Sequence, residues 1–296
     1  MHTEPTREPG RGAATRAALT DQELALKSVQ LRKRLLQAIY HAGAGHTGGS
    51  LSCLDILNAL YNRVLRVSPE TAGDPSRDRY IQSKGHSVEA LYAVLADRGF
   101  FPDAELETLC RYRSKFVGHP TRKIPGIEMN TGALGHGLPI CVGLALAAKL
   151  DAANYRVFTL LGDGELAEGS NWEAAMAAAH YQLDNLTAIL DHNTLQITGR
   201  TRDVCSNEPL DEKFRAFGWA VRVVNGHDFA ELTAALSQTA AAGKPTCVIA
   251  NTRKGRGISF MEDVGKWHHG VPSEPEFKQA MQELDDATAK LGGAKS

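Results

Sequence analysis

The second half of the chain alternates short apolar runs with helical stretches, and this alternation limits the possible folds more than any other feature. The apolar runs are residues 155–161, 186–190, 219–224 and 246–250. Residues at helical spacing fill two of the gaps between them, at 172–181 and 229–241. Strands that alternate with helices form a parallel sheet covered on both faces. The pattern therefore predicts one α/β domain over residues 21–296, with a parallel β-sheet and helices on both of its faces.

The first half of the chain is predicted to be mainly helical, around one long loop. Apolar residues recur at helical spacing in four segments, which are residues 21–39, 51–64, 88–98 and 103–112. Residues 118–137 are rich in Gly and Pro, which is typical of an ordered loop. Residues 1–20 lack the apolar segment of a signal peptide, and we expect them to form a flexible tail.

Charge and cysteine content exclude several classes of protein. Lys and Arg total 33 against 34 Asp and Glu, so no excess charge favours nucleic acid or an anionic membrane as a partner. The longest apolar stretches, around 139–148 and 157–161, are too short to cross a bilayer. The cysteines form no C-x-x-C pair and are typical of reduced thiols in a cytoplasmic protein; they are Cys53, Cys110, Cys141, Cys205 and Cys247.

Oxygen-bearing side chains follow two neighbouring predicted strands. Gly162-Asp163-Gly164 ends one strand, and Asn193 stands thirty positions later, after the next. Because ligands collect at the carboxyl ends of parallel strands, we expect both side chains to face one point. A carboxylate and an amide oxygen, without Cys or clustered His, suit Mg²⁺ or Ca²⁺, and the glycines leave room for a diphosphate. An ordinary capped strand-to-helix turn is the alternative interpretation of the triplet alone.

A second Gly-rich segment carries less information. Residues 43–48 (GAGHTG) match the dinucleotide fingerprint G-x-G-x-x-G. That fingerprint requires a strand before it and an acidic residue about 20 positions after it. Here a predicted helix precedes the segment, and the later window offers only Glu70. The segment therefore does not support a nicotinamide cofactor.

Taken together, the motifs resemble those of transketolase and its thiamine-diphosphate relatives. Beyond Asp163 and Asn193, the resemblance rests on five further segments in the order of the family: residues 45–51 (GHTGGSL), 78–86 (DRYIQSKGH), 118–120 (GHP), 131–137 (TGALGHG), and 254–257 (KGRG) with 267–268 (WH). The resemblance covers about residues 20–275 and implies the diphosphate-binding fold of this family.

The resemblance also implies roles for individual residues. The metal ligands would be the side chains of Asp163 and Asn193 and the backbone carbonyl of Leu195. The implied cofactor-binding residues are His86, Gly132, Ala133, Leu134, Gly164, Asn193 and His268. The implied catalytic residues are His46, His86, His119 and His268. Glu168 resembles an acidic residue at the interface between two protein chains.

The histidines suit the expected chemistry. Cleavage of a ketose needs a group that removes a hydroxyl proton, and imidazoles titrate near neutral pH. We favour His268 over the adjacent His269 because it follows Trp267 directly. His136 stands where long-chain transketolases commonly have Gln, which leaves its role open. The remaining three histidines considered, His41, His180 and His227, are assigned no function.

The implied protein is the N-terminal subunit of a split transketolase. The pyrimidine-binding domain, with the Glu that activates the cofactor, would lie on a separate C-terminal subunit, in an α2β2 assembly. The expected activity is transfer of a two-carbon glycolaldehyde unit from a ketose phosphate to an aldose phosphate, as in the pentose phosphate pathway. One alternative is a subunit of the deoxyxylulose-phosphate synthase-like or 2-oxo-acid dehydrogenase alpha-like type; another, from a different class, is a non-catalytic cofactor-binding scaffold. The segment 118–120 favours the sugar enzyme, since 2-oxo-acid enzymes do not need it.

Overall fold

A computed structural model describes residues 19–238 and 241–293. Within them, parallel strands form a central sheet in the order β1-β2-β3-β7-β6, and β4 pairs with β5 in a small antiparallel ribbon. The strands are β1 Arg79–Gln82, β2 Val157–Gly162, β3 Leu186–His192, β4 Leu195–Gln196, β5 Gly199–Arg200, β6 Ala220–Asn225 and β7 Thr246–Asn251. The predicted parallel α/β sheet is confirmed, and its register sets the carboxyl ends of β2, β3 and β7 side by side.

Helices surround this sheet. They are α1 Asp21–Ala42, α2 Thr47–Ala59, α3 Val88–Asp97, α4 Gly137–Leu150, α5 Gly169–His180, α6 Thr201–Val204, α7 Leu210–Ala216, α8 Phe229–Ser237 and α9 Glu274–Gly292. A π-helical turn, Leu60–Val64, continues α2. Short 3-10 turns occupy Gly85–Ser87, Asp103–Thr108, Gly164–Ala167 and Gly265–His268. None of the helices in the described ranges has both the length and the apolar composition needed to cross a bilayer.

The strands separate two hydrophobic cores. Successive side chains of β2 point to opposite faces, so Phe158 and Leu160 join the core under α1, α2, α3 and α8. Val157 and Leu161 join the second core, under α4 and α5. Both faces of the sheet are therefore buried, which explains why its strands read as continuous apolar runs rather than as alternating ones.

Helix α2 begins earlier than the sequence predicts. The expected start was residue 51, but the helix starts at Thr47, inside the Gly-rich segment. Gly48 and Gly49 are buried there, and a Cβ on Gly48 would lie 3.0 Å from the backbone oxygen of Trp267. Tertiary packing of the small residues therefore overrides their low helix propensity.

Four helices of the described ranges were not predicted: the short α6 and α7, and the longer α4 and α9. The apolar segment at 139–148 is most of α4, and the polar C-terminal segment forms α9. A capping box at Ser273 starts α9, whose Phe277 ring stacks on Tyr40 of α1 at 4.2 Å. Phe277, Ala280 and Leu284 of α9 recur at helical spacing after this capping box, so the sequence carried a signal for the helix.

Two helix boundaries also differ from expectation. The side chain of Thr20 caps α1, and residues 1–18 of the predicted tail lie outside the described residues. The helix expected at 103–112 is a 3-10 turn that ends at Thr108, before Cys110 with φ 55°. Helix α8 ends at Ser237, and the following residues 239–240 are outside the description. All cysteines are free thiols, three of them buried.

Candidate functional site

The first part of the site is a group at the strand ends, here called the strand-end cluster: Asp163, Asn193, Leu195 and Lys254. Asp163 follows β2 and is 4% exposed; its carboxylate accepts hydrogen bonds from the backbone N–H of Thr194 at 2.5 Å and of Gly164 at 2.8 Å. Asn193 follows β3 and its Oδ1 accepts from the Leu195 N–H at 3.1 Å. The structure thus brings the three predicted metal ligands to neighbouring strand ends.

Lys254 is a residue of this cluster to which the sequence analysis gave no role. It follows β7 and is 2% exposed, with its Nζ 3.4 Å from the Leu195 carbonyl oxygen and 2.9 Å from His268 Nδ1. Burial, and then the nearby Lys84, lower its pKa to about 8. Its place directly after a strand, in the recognised KGRG segment, was the available signal.

The charges of this cluster are incomplete. Among the described residues, no Lys or Arg forms a salt bridge with Asp163, whose pKa is raised by burial and by Asp191. In the same part of the chain, no carboxylate forms a salt bridge with Lys254, although Asp163 is near enough to affect its pKa. Buried charges are normally paired or bound to metal. Within the described ranges, Asp163 lacks a cationic partner, and the nearby Lys254 lacks an anionic one. A divalent metal bound to a diphosphate would supply both.

A buried ion pair supports the cluster from behind. The Asp191 carboxylate, 0% exposed, accepts from the Lys84 ammonium, from the Thr252 hydroxyl and, at 2.5 Å, from the Ser52 hydroxyl. Lys84 Nζ also donates to the Gly49 carbonyl at 3.0 Å. Asp191 therefore connects α2, the loop after β1 and the end of β7, and its oxygens are already occupied.

Glu165 is a second residue that the sequence analysis missed. It is 2% exposed and accepts hydrogen bonds from the Ser83 hydroxyl, from the Gly135 N–H at 3.0 Å and from the Gly162 N–H at 3.1 Å. One carboxylate thus holds together three segments that the family resemblance singled out separately. Its position next to Gly164 was the only signal in the sequence.

The loop that contains Gly132, Ala133 and Leu134 lies against the end of β1. A Cβ on Gly132, whose φ is +141°, would lie 2.6 Å from the His119 ring. A Cβ on Gly85 would lie 2.7 Å from the Gly132 Cα. The two backbones can approach this closely only because both residues are glycine.

The second part of the site is a group of imidazoles, here called the histidine wall: His46, His86, His119, His268 and His269. The His46 ring lies at its centre, with ring centroids 5.5 Å from His86, 5.8 Å from His119, 5.9 Å from His268 and 4.5 Å from His269. His268 is buried and His269 is exposed. The structure therefore gathers the four predicted catalytic histidines from four separate segments.

Burial keeps most of the wall neutral. It lowers the pKa of His268 to about 3, with Lys254 as the next cause, and places the pKa of His86 well below its usual range, with help from Lys84. The pKa of His119 is lowered by burial and by His46. Neutral imidazoles can both donate and accept hydrogen bonds.

Two further predicted residues lie at the edge of the site. Glu168 is exposed at the start of α5, against Gly135. His136 is exposed before α4, and its Nδ1 lies 3.0 Å from the Leu134 carbonyl oxygen.

His227, to which the sequence analysis assigned no function, supports the strand-end cluster from a distance. Its Nδ1 lies 2.8 Å from the Asp55 carboxylate, which also pairs with Arg32, and its Nε2 accepts the Arg253 N–H at 2.9 Å. Because Arg253 directly precedes Lys254, the ring fixes the backbone from which that lysine extends.

This fold and site define a class of protein. A parallel sheet that carries an aspartate and an asparagine at neighbouring strand ends is found in the thiamine diphosphate-binding fold, and the structural neighbours agree. A transketolase from Campylobacter jejuni superimposes with a TM-score of 0.80 at 30% identity, over 94% of this chain and 49% of that one. A transketolase mutant from Pichia stipitis gives 0.81 at 28% identity, over 92% and 43%.

The family is shown by sequence comparison. Residues 25–288 match the family model for the transketolase thiamine diphosphate binding domain. One of the subunits of the apulose-4-phosphate transketolase of Phocaeicola vulgatus is 47% identical over 91% of this chain and 96% of its own length. One of the subunits of the 6-deoxy-6-sulfo-D-fructose transketolase of a Clostridium species is 44% identical over 86% and 94%. The chain belongs to the transketolase family of thiamine diphosphate-binding enzymes, which confirms the resemblance.

The match to human transketolase covers most of this chain but only part of the human protein. The two sequences are 41% identical over 88% of this chain, but the match spans only 42% of the human protein. The chain thus spans nearly all of the subunit relatives and less than half of the transketolases that it also resembles.

Proposed function

We propose that this chain is the diphosphate-binding subunit of a transketolase, which moves a two-carbon glycolaldehyde unit from a ketose phosphate to an aldose phosphate. The observation that carries the proposal is the pair of uncompensated buried charges in the strand-end cluster. Asp163 needs a cation and Lys254 needs an anion. A divalent metal with the diphosphate of thiamine diphosphate satisfies both.

The residues present fit that ligand. The side-chain oxygens of Asp163 and Asn193 and the Leu195 carbonyl would hold Mg²⁺, or Ca²⁺, through hard oxygen ligands. The ammonium of Lys254 and the backbone at Gly164 would contact the diphosphate. A Cβ on Gly164 would lie 2.7 Å from the buried Oε1 of Gln196, which lacks a hydrogen-bond partner among the described residues. Residue 164 therefore has to be small.

The remaining predicted residues would position the organic part of the cofactor and the sugar. The Gly132, Ala133 and Leu134 segment would contact the aminopyrimidine, and His86 and His268 would lie near the diphosphate and thiazolium. When bound, thiamine diphosphate supplies the nucleophilic carbanion for carbon–carbon bond cleavage. His46 and His119, together with His86 and His268, would orient the sugar and exchange protons with its hydroxyl groups.

The names and lengths of the relatives support a two-chain enzyme. Two of them are named as transketolase subunits, and this chain spans more than nine-tenths of each. A cytoplasmic α2β2 assembly with a separate C-terminal subunit, which carries the pyrimidine-binding domain, would complete the site. Glu168, which is exposed, would lie at the interface between the chains of that assembly. The same names suggest ketoses with an anionic end as substrates, such as apulose 4-phosphate or 6-deoxy-6-sulfo-D-fructose.

A transfer assay tests the proposal. The chain is mixed with the pyrimidine-binding subunit from the same genome, thiamine diphosphate, Mg²⁺, each of these ketoses as donor and an aldose phosphate as acceptor. Mass spectrometry detects the donor shortened by two carbons and the acceptor lengthened by two. We expect product from the mixture and none from either chain alone. Turnover by this chain alone would refute the two-chain proposal. A mixture that retains cofactor and turns over no ketose would support a non-catalytic scaffold instead.

A further inference from the structure

A buried carboxylate lies directly behind the histidine wall. Glu89, in the first turn of α3, is 2% exposed. Its Oε2 accepts the Ser50 hydroxyl at 2.8 Å, and its Oε1 accepts the His46 backbone N–H at 3.1 Å. Among the described residues, no Lys or Arg forms a salt bridge with it; the basic side chain within reach is His46. A carboxylate at this depth needs a partner that can carry positive charge.

The ring of His46 is turned toward this carboxylate. Its Nδ1 lies 3.8 Å from Glu89 Oε1 and is enclosed, with no hydrogen-bond partner among the described residues. The backbone is also held close, because a Cβ on Gly45, whose φ is +152°, would lie 3.0 Å from the same oxygen. Nothing but a short movement separates the two groups, and catalytic hydrogen bonds are often long before substrate binds.

The other groups around His46 do not offer this charge. In the described part of the chain, its remaining ring neighbours are the four other imidazoles of the wall, and Lys254 and Lys84 lie behind them. The negative charge of Glu89 also acts on two neighbouring rings. Burial lowers the pKa values of His119 and His269, and Glu89 partly offsets this by raising them.

We propose that Glu89 is a positioning residue for His46, an inference that rests on the proposed function. The Glu89 carboxylate accepts the Nδ1–H of His46, which leaves the lone pair on Nε2. When Nε2 takes a proton from a substrate hydroxyl, the electron pair stays on the sugar oxygen. The resulting imidazolium is stabilised by the carboxylate. The pairing follows the same physical logic as other carboxylate–histidine pairs, in which the acid fixes the tautomer and orientation of the ring.

A purely structural role for Glu89 predicts something different. If the carboxylate only held the start of α2 through the His46 N–H and the Ser50 hydroxyl, an amide would replace it with little change. Glu89→Gln keeps the size and one acceptor oxygen but removes the charge. Ser50→Ala is the matched control, because it removes a hydrogen bond to Glu89 and keeps the charge.

The test is the tautomer of His46, measured by long-range ¹⁵N–¹H NMR on the full chain with labelled histidine and assigned by comparison with His46→Ala. We expect the Nδ1–H form in the wild type and in Ser50→Ala, and a shift toward Nε2–H in Glu89→Gln. In the complete enzyme, Glu89→Gln should lower kcat about tenfold, with KM and cofactor affinity nearly unchanged.

Two results would overturn the inference. One is an Nε2–H tautomer of His46 in the wild-type chain. This result does not depend on whether any variant folds. The other is the same tautomer in wild type and in a folded Glu89→Gln. The NMR measurement needs no turnover, so its failure is distinct from a failure of the transfer assay.

Discussion

The strand-end cluster and the histidine wall lie side by side but are built in opposite ways. Asp163, Asn193 and Lys254 of the cluster follow adjacent strands of the central sheet, and Asp163 and Asn193 are fixed by backbone N–H groups of the same strand ends. The wall comes from four segments far apart in the sequence, and its central ring has an enclosed nitrogen with no partner among the described residues.

This difference in construction suits the two groups to different ligands. A rigid group on a sheet edge suits a metal and a diphosphate, which stay bound through many turnovers. Imidazoles on loops, held mainly by packing, suit a sugar that enters and leaves and whose protons move. Substitutions in the cluster should therefore lower cofactor affinity, whereas substitutions in the wall should lower turnover.

Asp163→Ala should have the largest effect. Removing a metal ligand from a buried site should weaken Mg²⁺-dependent binding of thiamine diphosphate by at least about 100-fold while the fold is kept. Equilibrium dialysis of the complete enzyme measures the affinity, and circular dichroism checks the fold. Asp151→Ala, an exposed carboxylate at the end of α4, is the control. An unchanged cofactor affinity in Asp163→Ala would show that Asp163 is not a metal ligand.

His46→Ala should show the opposite pattern. Because we propose that its imidazole exchanges protons with the sugar, kcat/KM for the donor ketose should fall about 50-fold with cofactor affinity nearly constant. Steady-state kinetics at saturating thiamine diphosphate measure this, with the exposed His41→Ala as control. A collapse of cofactor affinity would place His46 in the cluster rather than in the wall.

The low pKa of His268 predicts a pH-dependent stability. The ordinary pKa is 6.5 and the folded value is about 3, so below pH 6.5 the unfolded chain binds a proton that folded His268 refuses. Stability is therefore lost as the pH falls. Relative to His268→Asn, the wild type should lose about 2 kcal/mol of unfolding free energy between about pH 7 and pH 5.

Urea titrations at both pH values measure that difference. The raised pKa of Asp163 has the opposite effect on stability, because the folded state then binds a proton more readily than the unfolded state. Wild type and His268→Asn share this effect, so it cancels in the comparison. Equal losses in wild type and variant would show that His268 titrates normally.

His227→Ala should have the smallest effect, although it lies outside both groups. Without its ring the Arg253 N–H loses its acceptor, and the Lys254 backbone becomes less fixed. We expect cofactor affinity to fall about fivefold, as is typical of residues that orient a binding group indirectly. The exposed His180→Ala is the matched control, and equal affinities in the two variants would show that the Arg253 contact does not position Lys254.

Much of the strand-end cluster could be predicted from the sequence, for a physical reason. Buried parallel strands are recognisable as apolar runs, and their carboxyl ends must meet at one edge, so Asp163 and Asn193 could be paired by spacing alone. Helix α4 was missed because it is almost uniformly apolar and shows no clear amphipathic period, whereas α9 has such a period and a capping box and could have been predicted.

The contacts that join distant segments could not be predicted. Glu165 joins three separate segments and Glu89 lies behind His46, but each is a single acidic residue in an ordinary helical or turn context. Their roles depend on tertiary neighbours about 30 positions or more away, which no local pattern records. The four histidines predicted to be catalytic were named through the family resemblance, and the structure shows that they lie close together.

Calorimetric titration of the complete enzyme with thiamine diphosphate, with and without Mg²⁺, tests the central claim most directly. The claim is that Asp163 requires a cation before the diphosphate can meet Lys254. The account predicts tight binding with Mg²⁺ and a loss of at least about 100-fold in its absence. Equal affinity with and without the divalent metal would contradict it.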